Sequence, residues 1–258
     1  LPVPPLSKHR ASAGHRRRLA FEDVTSTNTL AREAARSGDP GGLWITAARQ
    51  NEGRGRRGRA WVSEAGNLYA SLLLIDPAPP QHLAKLPFVV ALAVRDALAS
   101  LLGEERQVKV KWPNDVLVGG RKCVGILLES ERLANGSTSV VIGCGINVAE
   151  PPSDLPYQAT ALSLEGFRGD LESVFEALAS AMDRELGLFH RGAGFHQARE
   201  RWLSHAVGVG AACTVRLTNQ TIEGTFEALD AEGRLLLALA NGERMPISAG
   251  DVFFSGAP

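Results

Sequence analysis

The chain has 258 residues, 44% of them apolar and 22% charged, the balance of a soluble globular protein with one large domain or one large and one small. Its 28 basic and 28 acidic residues cancel, which argues against bulk attraction to nucleic acid or membrane, so any charge argument is local. Nothing approaches the run of about 18 apolar residues that a membrane span needs. Cys123, Cys144 and Cys213 are far apart and outside any CxxC or Cys/His spacing. This pattern fits a reduced, cytoplasmic protein without disulfides or a zinc site, each cysteine serving as a small buried apolar residue.

Residues 1–18 are rich in Pro, Ser, His and Arg and lack the apolar stretch of a secretory leader. They read as a flexible arm in which His15-Arg16-Arg17-Arg18 is a solvated basic run. Leu19-Ala20-Phe21 begins a short strand. Ser26 or Thr27 is a natural N-cap for a helix in which Leu30, Ala31, Ala34 and Ala35 keep the helical period and Gly38 stops it. Residues 43–48 read as a buried strand, 50–59 as a Gly/Arg loop without an apolar side chain, and Leu68–Ile75 as a strand too apolar for a half-exposed edge. A Pro-rich turn then leads into a long apolar helix over 82–102.

Short strands follow at Val108–Lys111, Asp115–Val118, 123–130 and 139–148, with hairpin signals at Gly119-Gly120 and Asn135-Gly136. Hairpins impose antiparallel pairing, so the expected fold is α+β, a mixed, mostly antiparallel sheet with packed helices. Pro151, Pro152 and Pro156 mark a loop, and helices are expected at Leu171–Phe189 and 195–204. Beyond Val207, short strands at 213–217, Thr221–Leu229, 235–239 and 245–248 alternate with turns at Glu232-Gly233 and Asn241-Gly242. They suggest a small SH3-like β-barrel. The expected organisation is an arm at 1–18, a large domain at 19–206 and a small one at 207–258.

The most informative stretch is Gly53-Arg54-Gly55-Arg56-Arg57-Gly58-Arg59. It matches GxGxxG, but a dinucleotide fingerprint needs a helix after the glycines, and Ala60-Trp61-Val62 leads to a strand instead. It nearly matches the phosphate loop GxxxxGK[ST], yet Arg59-Ala60 stands where Lys and a hydroxyl are required. The chemistry still suits an anion. Glycines let backbone N–H groups form a concave nest. Four arginines in seven residues repel one another. An anion relieves that repulsion and adds charge-assisted hydrogen bonds of about 1.5–3 kcal/mol each. The expectation is a loop disordered until a ligand orders it; the alternative is a solvated basic loop.

Lys111-Trp112-Pro113-Asn114-Asp115 forms a second constellation. Pro113 stiffens the turn, which suits it to holding Asn114 and Asp115 oxygens at fixed angles near a metal ion or an incoming amine. Lys122 follows the Gly119-Gly120 turn and precedes Gly125-Ile126-Leu127. A third piece is Gly143-Cys144-Gly145-Ile146-Asn147, where small residues admit a ligand close to the backbone and Asn147 offers both a donor and an acceptor. The second and third pieces, taken alone, are also compatible with ordinary turn chemistry and a strand ending in a glycine bulge.

Together they resemble the biotin–protein ligases. The matching elements are Ser26-Thr27-Asn28, Gln50 ahead of the GRGRRGR loop with Trp61, the KWPND segment, Arg121-Lys122-x-x-Gly125-Ile126-Leu127, and GxGxN ending at Asn147. The resemblance implies a sheet fold shared with class II aminoacyl-tRNA synthetases, plus the small C-terminal domain. It also implies a reaction in which biotin and MgATP give biotinyl-5′-adenylate, from which a lysine of a biotin carboxyl carrier protein takes the biotin.

By position, the resemblance assigns Ser26, Thr27, Asn28, Gln50, Gly53, Arg54, Arg56, Lys122, Gly125, Gly143 and Gly145 to biotin. It assigns Arg54, Arg56, Arg57, Arg59, Trp61, Lys111, Asn114, Lys122 and Asn147 to ATP, with Trp61 covering the adenine and Asn147 reading its edge. Asn114 is the candidate Mg2+ neighbour. Arg56, Lys111, Asp115 and Lys122 are the candidate catalytic residues, Asp115 to orient the acceptor lysine or take its proton. Many bacterial relatives also carry a DNA-binding domain. Here about 25 residues precede Ser26 and read as arm plus strand, so a ligase without repressor activity or a nucleic-acid partner is expected. A homodimer through sheet edges is compatible with the family. The competing readings are a lipoate or octanoyl ligase, against which the GRGRRGR and KWPND pair speaks, and a nucleic-acid-binding module, against which zero net charge and 6% aromatics speak.

Overall fold

The computed structural model describes residues 16–103, 107–153, 155 and 157–254, so residues 1–15 of the expected arm and Pro156 of the expected loop lie outside it. Seven strands form the larger sheet: β1 (Arg17–Val24), β2 (Leu43–Gln50), β3 (Leu68–Ile75), β4 (Val108–Lys111), β5 (Asp115–Val118), β6 (Arg121–Arg132) and β7 (Thr138–Ile146). Their order is β1-β2-β3-β7-β6-β5-β4. Only β1 and β2 run parallel; every other pairing is antiparallel. The mixed, mostly antiparallel reading of the sequence therefore holds.

The central strands are apolar on both faces because both faces are covered. On one side Ala31 and Ala35 of α1 (Thr27–Arg36) pack against Leu43, Ile45, Leu73 and Val141. On the other, Trp44, Leu72 and Ile142 meet α2 (Leu86–Leu102) and α3 (Leu171–Phe189) in the main core. The expected helix over 82–102 is shorter than its apolar run, since residues Pro80–Lys85 are a 3-10 turn. Pro87 has no N–H to give an upstream carbonyl, so the α-helix starts beside it, where a proline is tolerated.

The arm is also shorter than expected. β1 begins at Arg17, inside the expected arm, and Arg16, Arg17 and Arg18 of the basic run are ion-paired at the surface. Arg17 pairs with Asp39 at 2.6 Å, Arg18 with Glu172 at 2.7 Å and Arg16 with Glu176 at 2.9 Å. The Arg18 guanidinium also lies 3.8 Å from the centre of the Phe175 ring. Carboxylates on α3 and after α1 are distant in sequence, so the local pattern carried no sign of them.

A second sheet contains β8 (Ala212–Arg216), β9 (Thr221–Leu229), β10 (Leu235–Ala238), β11 (Arg244–Ile247) and β12 (Asp251–Phe254) in the open order β11-β10-β9-β8-β12. The sequence reading lacked β12. The two sheets share one core. Trp202 of α4 (Phe195–His205) sits edge-on to Phe88 at 5.5 Å, and Phe226, Leu235 and Leu237 continue the same cluster. The Val207 N–H donates to the Val110 carbonyl at 2.9 Å, tying the connection to β4. No helix among the described residues is long and apolar enough to cross a membrane.

All three cysteines are buried, and burial pushes the Cys123 and Cys144 thiols up to about 12. Iodoacetamide at about pH 8, near the ordinary thiol value, should leave both unmodified in the native protein and label both after denaturation, as read by peptide mass spectrometry.

Candidate active site

The site is built where α1 starts against the sheet. Ser26 is the N-cap, as expected, but its side chain makes no capping bond. Gln50 at the end of β2 supplies it instead: its Oε1 accepts from the Thr27 N–H at 2.9 Å and from the Thr27 hydroxyl at 3.1 Å. Its Nε2 donates to Ser63 Oγ at 3.0 Å. Beneath, fully buried Ser71 of β3 has its Oγ 2.7 Å from the Thr27 hydroxyl and 2.6 Å from Asn28 Oδ1. Asn28 Nδ2 donates to Glu129 of β6 at 2.8 Å, and Glu129 accepts from Arg54 at 2.9 Å. The chain of contacts from Gln50 to Arg54 fixes one end of the pocket. A buried polar network satisfied in this way is rigid.

The floor is made of glycines on paired strands, with Gly125 opposite Gly145 and Leu127 opposite Gly143. The Trp61 indole lies on that floor. A β-carbon at Gly125 would stand 2.7 Å from a Trp61 ring carbon, and one at Gly145 would overlap the indole nitrogen. One at Gly143 would overlap the Asn28 amide. The Trp61 Nε1–H is buried and has no hydrogen-bond partner.

The arginine loop, expected to be disordered until a ligand arrives, is a folded turn. Arg54 and Ala60 bridge antiparallel, the Gly55 N–H donates to the Arg59 carbonyl at 2.7 Å, and the Trp61 N–H donates to the Gly53 carbonyl at 2.9 Å. Gly53 packs so tightly under the turn that a β-carbon there would be 2.5 Å from Ser63 Oγ. Arg57 has φ 57°, a left-handed conformation costing a non-glycine residue about 1–2 kcal/mol. Side chains from two strands and from the β4–β5 turn hold the guanidiniums. Arg54 goes to Glu129, Arg56 Nη1 to Asn114 Oδ1 at 3.1 Å, and Arg57 and Arg59 to Asp251 of β12, Arg57 at 3.4 Å.

Opposite the loop, the Trp112–Pro113 peptide is cis, and Lys111 and Asp115 pair across the β4–β5 turn. Lys122 Nζ lies 2.8 Å from Asp115 Oδ1, between the Trp61 and Tyr157 rings at 5.6 and 5.1 Å. The Lys122 backbone is fixed by the neighbouring segment: its N–H donates to the Gln158 carbonyl and its carbonyl accepts from the Thr160 N–H, both at 2.9 Å.

These elements enclose a cavity of about 1120 Å³. Five cationic side chains, Arg54, Arg56, Arg59, Lys111 and Lys122, line it against two carboxylates, Asp115 and Asp251. Burial pushes the Arg56 guanidinium and the Lys111 ammonium below their ordinary values, and nearby carboxylates only partly offset this. Burial also pushes the Asp251 carboxyl up. Its hydrogen bond to Arg59 and the charges of Arg59, Arg57 and Arg56 outweigh this and hold it below the usual carboxylate range. Poorly hydrated cations in excess over carboxylates favour an anionic ligand. A narrow slot floored by backbone, ending in hydroxyls and amides, suits an elongated molecule with a polar head.

Residues 20–147 match the model of the biotin/lipoate A/B protein ligase family, and residues 209–255 that of the biotin protein ligase C-terminal domain. Over 240 residues the chain is 38% identical to a biotin–[acetyl-CoA-carboxylase] ligase of Paracoccus denitrificans, spanning 90% of this chain and 98% of that protein. The chain belongs to the biotin–protein ligase family. It is also 35% identical over 238 residues to the bifunctional ligase/repressor BirA of Bacillus subtilis, spanning 90% of this chain and 72% of that one. The fold matches that of the biotin protein ligase from Aquifex aeolicus in complex with biotin and ATP, with a TM-score of 0.79 and 28% identity over 93% of this chain and 99% of that one. Membership makes the protein a ligase enzyme.

In this ligase the structure brings most of the sequence-selected residues to one cavity: Ser26, Thr27, Asn28, Gln50, Arg54, Arg56, Arg59, Trp61, Lys111, Asn114, Asp115, Lys122, Gly125, Gly143 and Gly145. Gly53, Arg57 and Asn147 do not line it. Gly53 lies under the turn, and Arg57 faces Asp251. Asn147 is buried, and its Nδ2 donates to the Thr160 carbonyl at 3.0 Å, so it braces the segment beside Lys122 instead of presenting that donor to the cavity. Asn114, chosen as a metal neighbour, has its Oδ1 on Arg56 and its Nδ2 on the Ile126 carbonyl at 2.6 Å. Sequence reasoning missed Ser71, Glu129 and Asp251. Each is an ordinary strand residue whose partner is far away along the chain, and no local signal marks it.

Gly145→Ala should put a methyl group into the slot where the indole now lies, narrowing the space left for an elongated ligand. We expect ligase turnover to fall at least about tenfold, equivalent to roughly 1.4 kcal/mol, with the circular dichroism spectrum unchanged. Wild-type turnover in this variant would remove the close floor–indole packing from the account.

Proposed function

We propose that this ligase converts biotin and MgATP to biotinyl-5′-adenylate and pyrophosphate, then transfers biotin to a lysine of a biotin carboxyl carrier protein. The observation carrying this reading is the surplus of cations over carboxylates facing a glycine-floored slot, with Lys122 at the junction. The relatives' names supply the substrate identities: an acetyl-CoA carboxylase ligase in Paracoccus and a complex with biotin and ATP in Aquifex.

In the first step a biotin carboxylate oxygen attacks the α-phosphorus, the bond to the β-phosphate bridging oxygen breaks, and pyrophosphate leaves. Ser26, Thr27, Asn28 and Gln50 receive the polar head of biotin, and its chain takes the floor of Gly125 and Gly145 while the Trp61 indole turns to cover the adenine. Lys122 neutralises first the carboxylate and then the α-phosphate oxygens as charge builds. Arg56 and Lys111 face the outer phosphates. Mg2+ arrives with the nucleotide as part of the substrate. Among the described residues no cluster of three or more carboxylate, His or Cys ligands offers a resident metal site. The Asn114 and Asp115 oxygens in the cavity are compatible with the few protein contacts that a nucleotide-bound Mg2+ takes.

In the second step the carrier lysine attacks the acyl carbon and AMP leaves. An ammonium cannot attack, and in this reading Asp115 takes its proton once Lys122 has turned to the phosphate. The open five-stranded C-terminal sheet, within the unit we divide off at 207–258, is read as an SH3-like module that completes the cavity. Zero net charge supports a ligase without a nucleic-acid partner, and three free, buried cysteines support a cytoplasmic one.

Biotin-dependent exchange of labelled pyrophosphate into ATP tests the first step, with lipoate and octanoate in parallel. Exchange with biotin alone is expected; exchange only with lipoate or octanoate would keep the family and replace the substrate. Lys122→Ala should lower the exchange rate by about 10²–10³, the usual cost of removing a donor to a developing oxyanion. Arg56→Gly should retain adenylation but release the intermediate, seen as free biotinyl-adenylate and labelling of bystander proteins above wild-type levels.

A further inference from the structure

Asp251 is the one residue of the C-terminal sheet whose carboxylate reaches the arginine loop. It opens β12 and lies 192 positions along the chain from Arg59. Its side chain is largely buried. Asp251 Oδ2 accepts from both Arg59 and Arg57, and the adjacent Gly250 carbonyl accepts from Arg56 Nη2 at 3.3 Å. Three mutually repelling guanidiniums therefore converge on one two-residue corner of another sheet.

The corner treats the three arginines differently. Arg57 and Arg59, the outer pair, share the carboxylate. Arg56, half-buried where Arg57 and Arg59 are exposed, has its guanidinium hydrogen-bonded to neutral oxygens, those of Asn114 and Gly250. Arg57 also carries the left-handed backbone of the turn, so the Asp251 contact falls on the residue whose conformation most needs an external restraint. Such an arrangement spends two arginines on anchoring the loop and leaves a third aimed at an incoming anion.

We propose that Asp251 is a positioning residue of the nucleotide step, a built-in carboxylate that holds the arginine loop folded through Arg57 and Arg59 so that Arg56 meets the ATP phosphates already in place. The inference rests on the proposed adenylation reaction and adds to it a partner from the C-terminal sheet. It reassigns Arg57 and Arg59 from phosphate ligands to anchors. The alternative chemistry, in which Asp251 merely competes with phosphate for the arginines, predicts the opposite change in nucleotide affinity.

The test compares full-length wild type, Asp251→Asn and Asp251→Glu. Trypsin is applied without ligands, and cleavage within residues 54–59 is read by mass spectrometry, alongside thermal melts that report global unfolding. We expect Asp251→Asn to speed loop cleavage by about fivefold or more at unchanged melting temperature, and Asp251→Glu to stay within about twofold of wild type. In pyrophosphate exchange, Asp251→Asn should raise KM for ATP about fivefold or more while kcat and KM for biotin change less than about twofold. In an Arg57→Gln, Arg59→Gln background, Asp251→Asn should add less than about twofold in KM for ATP, since the partners are already gone. That arm approaches the contact from the other side, should Asp251→Asn alone fold poorly. Loop cleavage and KM for ATP both within twofold of wild type, or a lowered KM for ATP, would overturn the inference. Wild type without biotin-dependent exchange would overturn the proposed reaction alone, and the proteolysis comparison would still decide whether Asp251 anchors the loop.

Discussion

Like charges gathered in a poorly hydrated place have to be held there, and the site depends on how this is done. Arginines and lysines from the loop, β4 and β6 converge on one cavity, and each would be driven apart without a nearby acceptor. Three carboxylates supply the restraint, and each comes from a different strand: Glu129 on β6 for Arg54, Asp115 on β5 for Lys122, and Asp251 on β12 for Arg57 and Arg59. The compensation is incomplete by design of the geometry, because Arg56 and Lys111 keep only partial counter-charge. The residual positive field is what an acid and a nucleotide can use. Removing any one of the three acids would change both the shape of the pocket and its charge.

Those carboxylates can serve only if the strands bearing them stay in register. The sheet is sandwiched between α1 on one face and α2 and α3 on the other, and its central strands are apolar on both sides. The same core runs on through Trp202 and Phe226 into the second sheet, which sets β12 beside the loop. The polar end of the pocket is anchored differently, by hydrogen bonds. Gln50 occupies the start of α1, Ser71 ties Thr27 to Asn28, and Asn28 reaches Glu129. Apolar packing thus positions the charged end, and a satisfied polar network positions the neutral one.

Much of this was legible because it is local. Leu68–Ile75, Val108–Lys111, Asp115–Val118, Leu171–Phe189 and Thr221–Leu229 fall where their periodicity and bounding turns put them. The GRGRRGR and KWPND segments pointed to the cavity because glycine and arginine density, and a proline-stiffened turn, are properties of adjacent residues. What escaped was relational. Arg16 to Arg18 looked like solvated arm because Glu172, Glu176 and Asp39 are remote in sequence. Asn147 and Asn114 looked like free ligand contacts because nothing nearby reveals that Thr160, Arg56 and Ile126 occupy their amides. Asp251 opens a strand that the sequence reading lacked, and its arginine partners lie far back along the chain. A side chain's chemistry can be read from one position, but whether it is already spoken for depends on the fold.

The glycine floor bears on how selectivity can change in this enzyme. With Gly125, Gly143 and Gly145 packed against Trp61 and Asn28, the width of the slot is set by the main chain of β6 and β7 and not by any side chain on it. Ordinary substitution can therefore only close this wall; it cannot widen it. Under the proposed reaction, discrimination among carboxylic acids then falls to the two ends, as a ruler reads length between fixed stops: the Gln50–Thr27–Asn28 cluster at one and Lys122 at the other. A shift in preferred acid would come through those stops, with the channel between them unaltered.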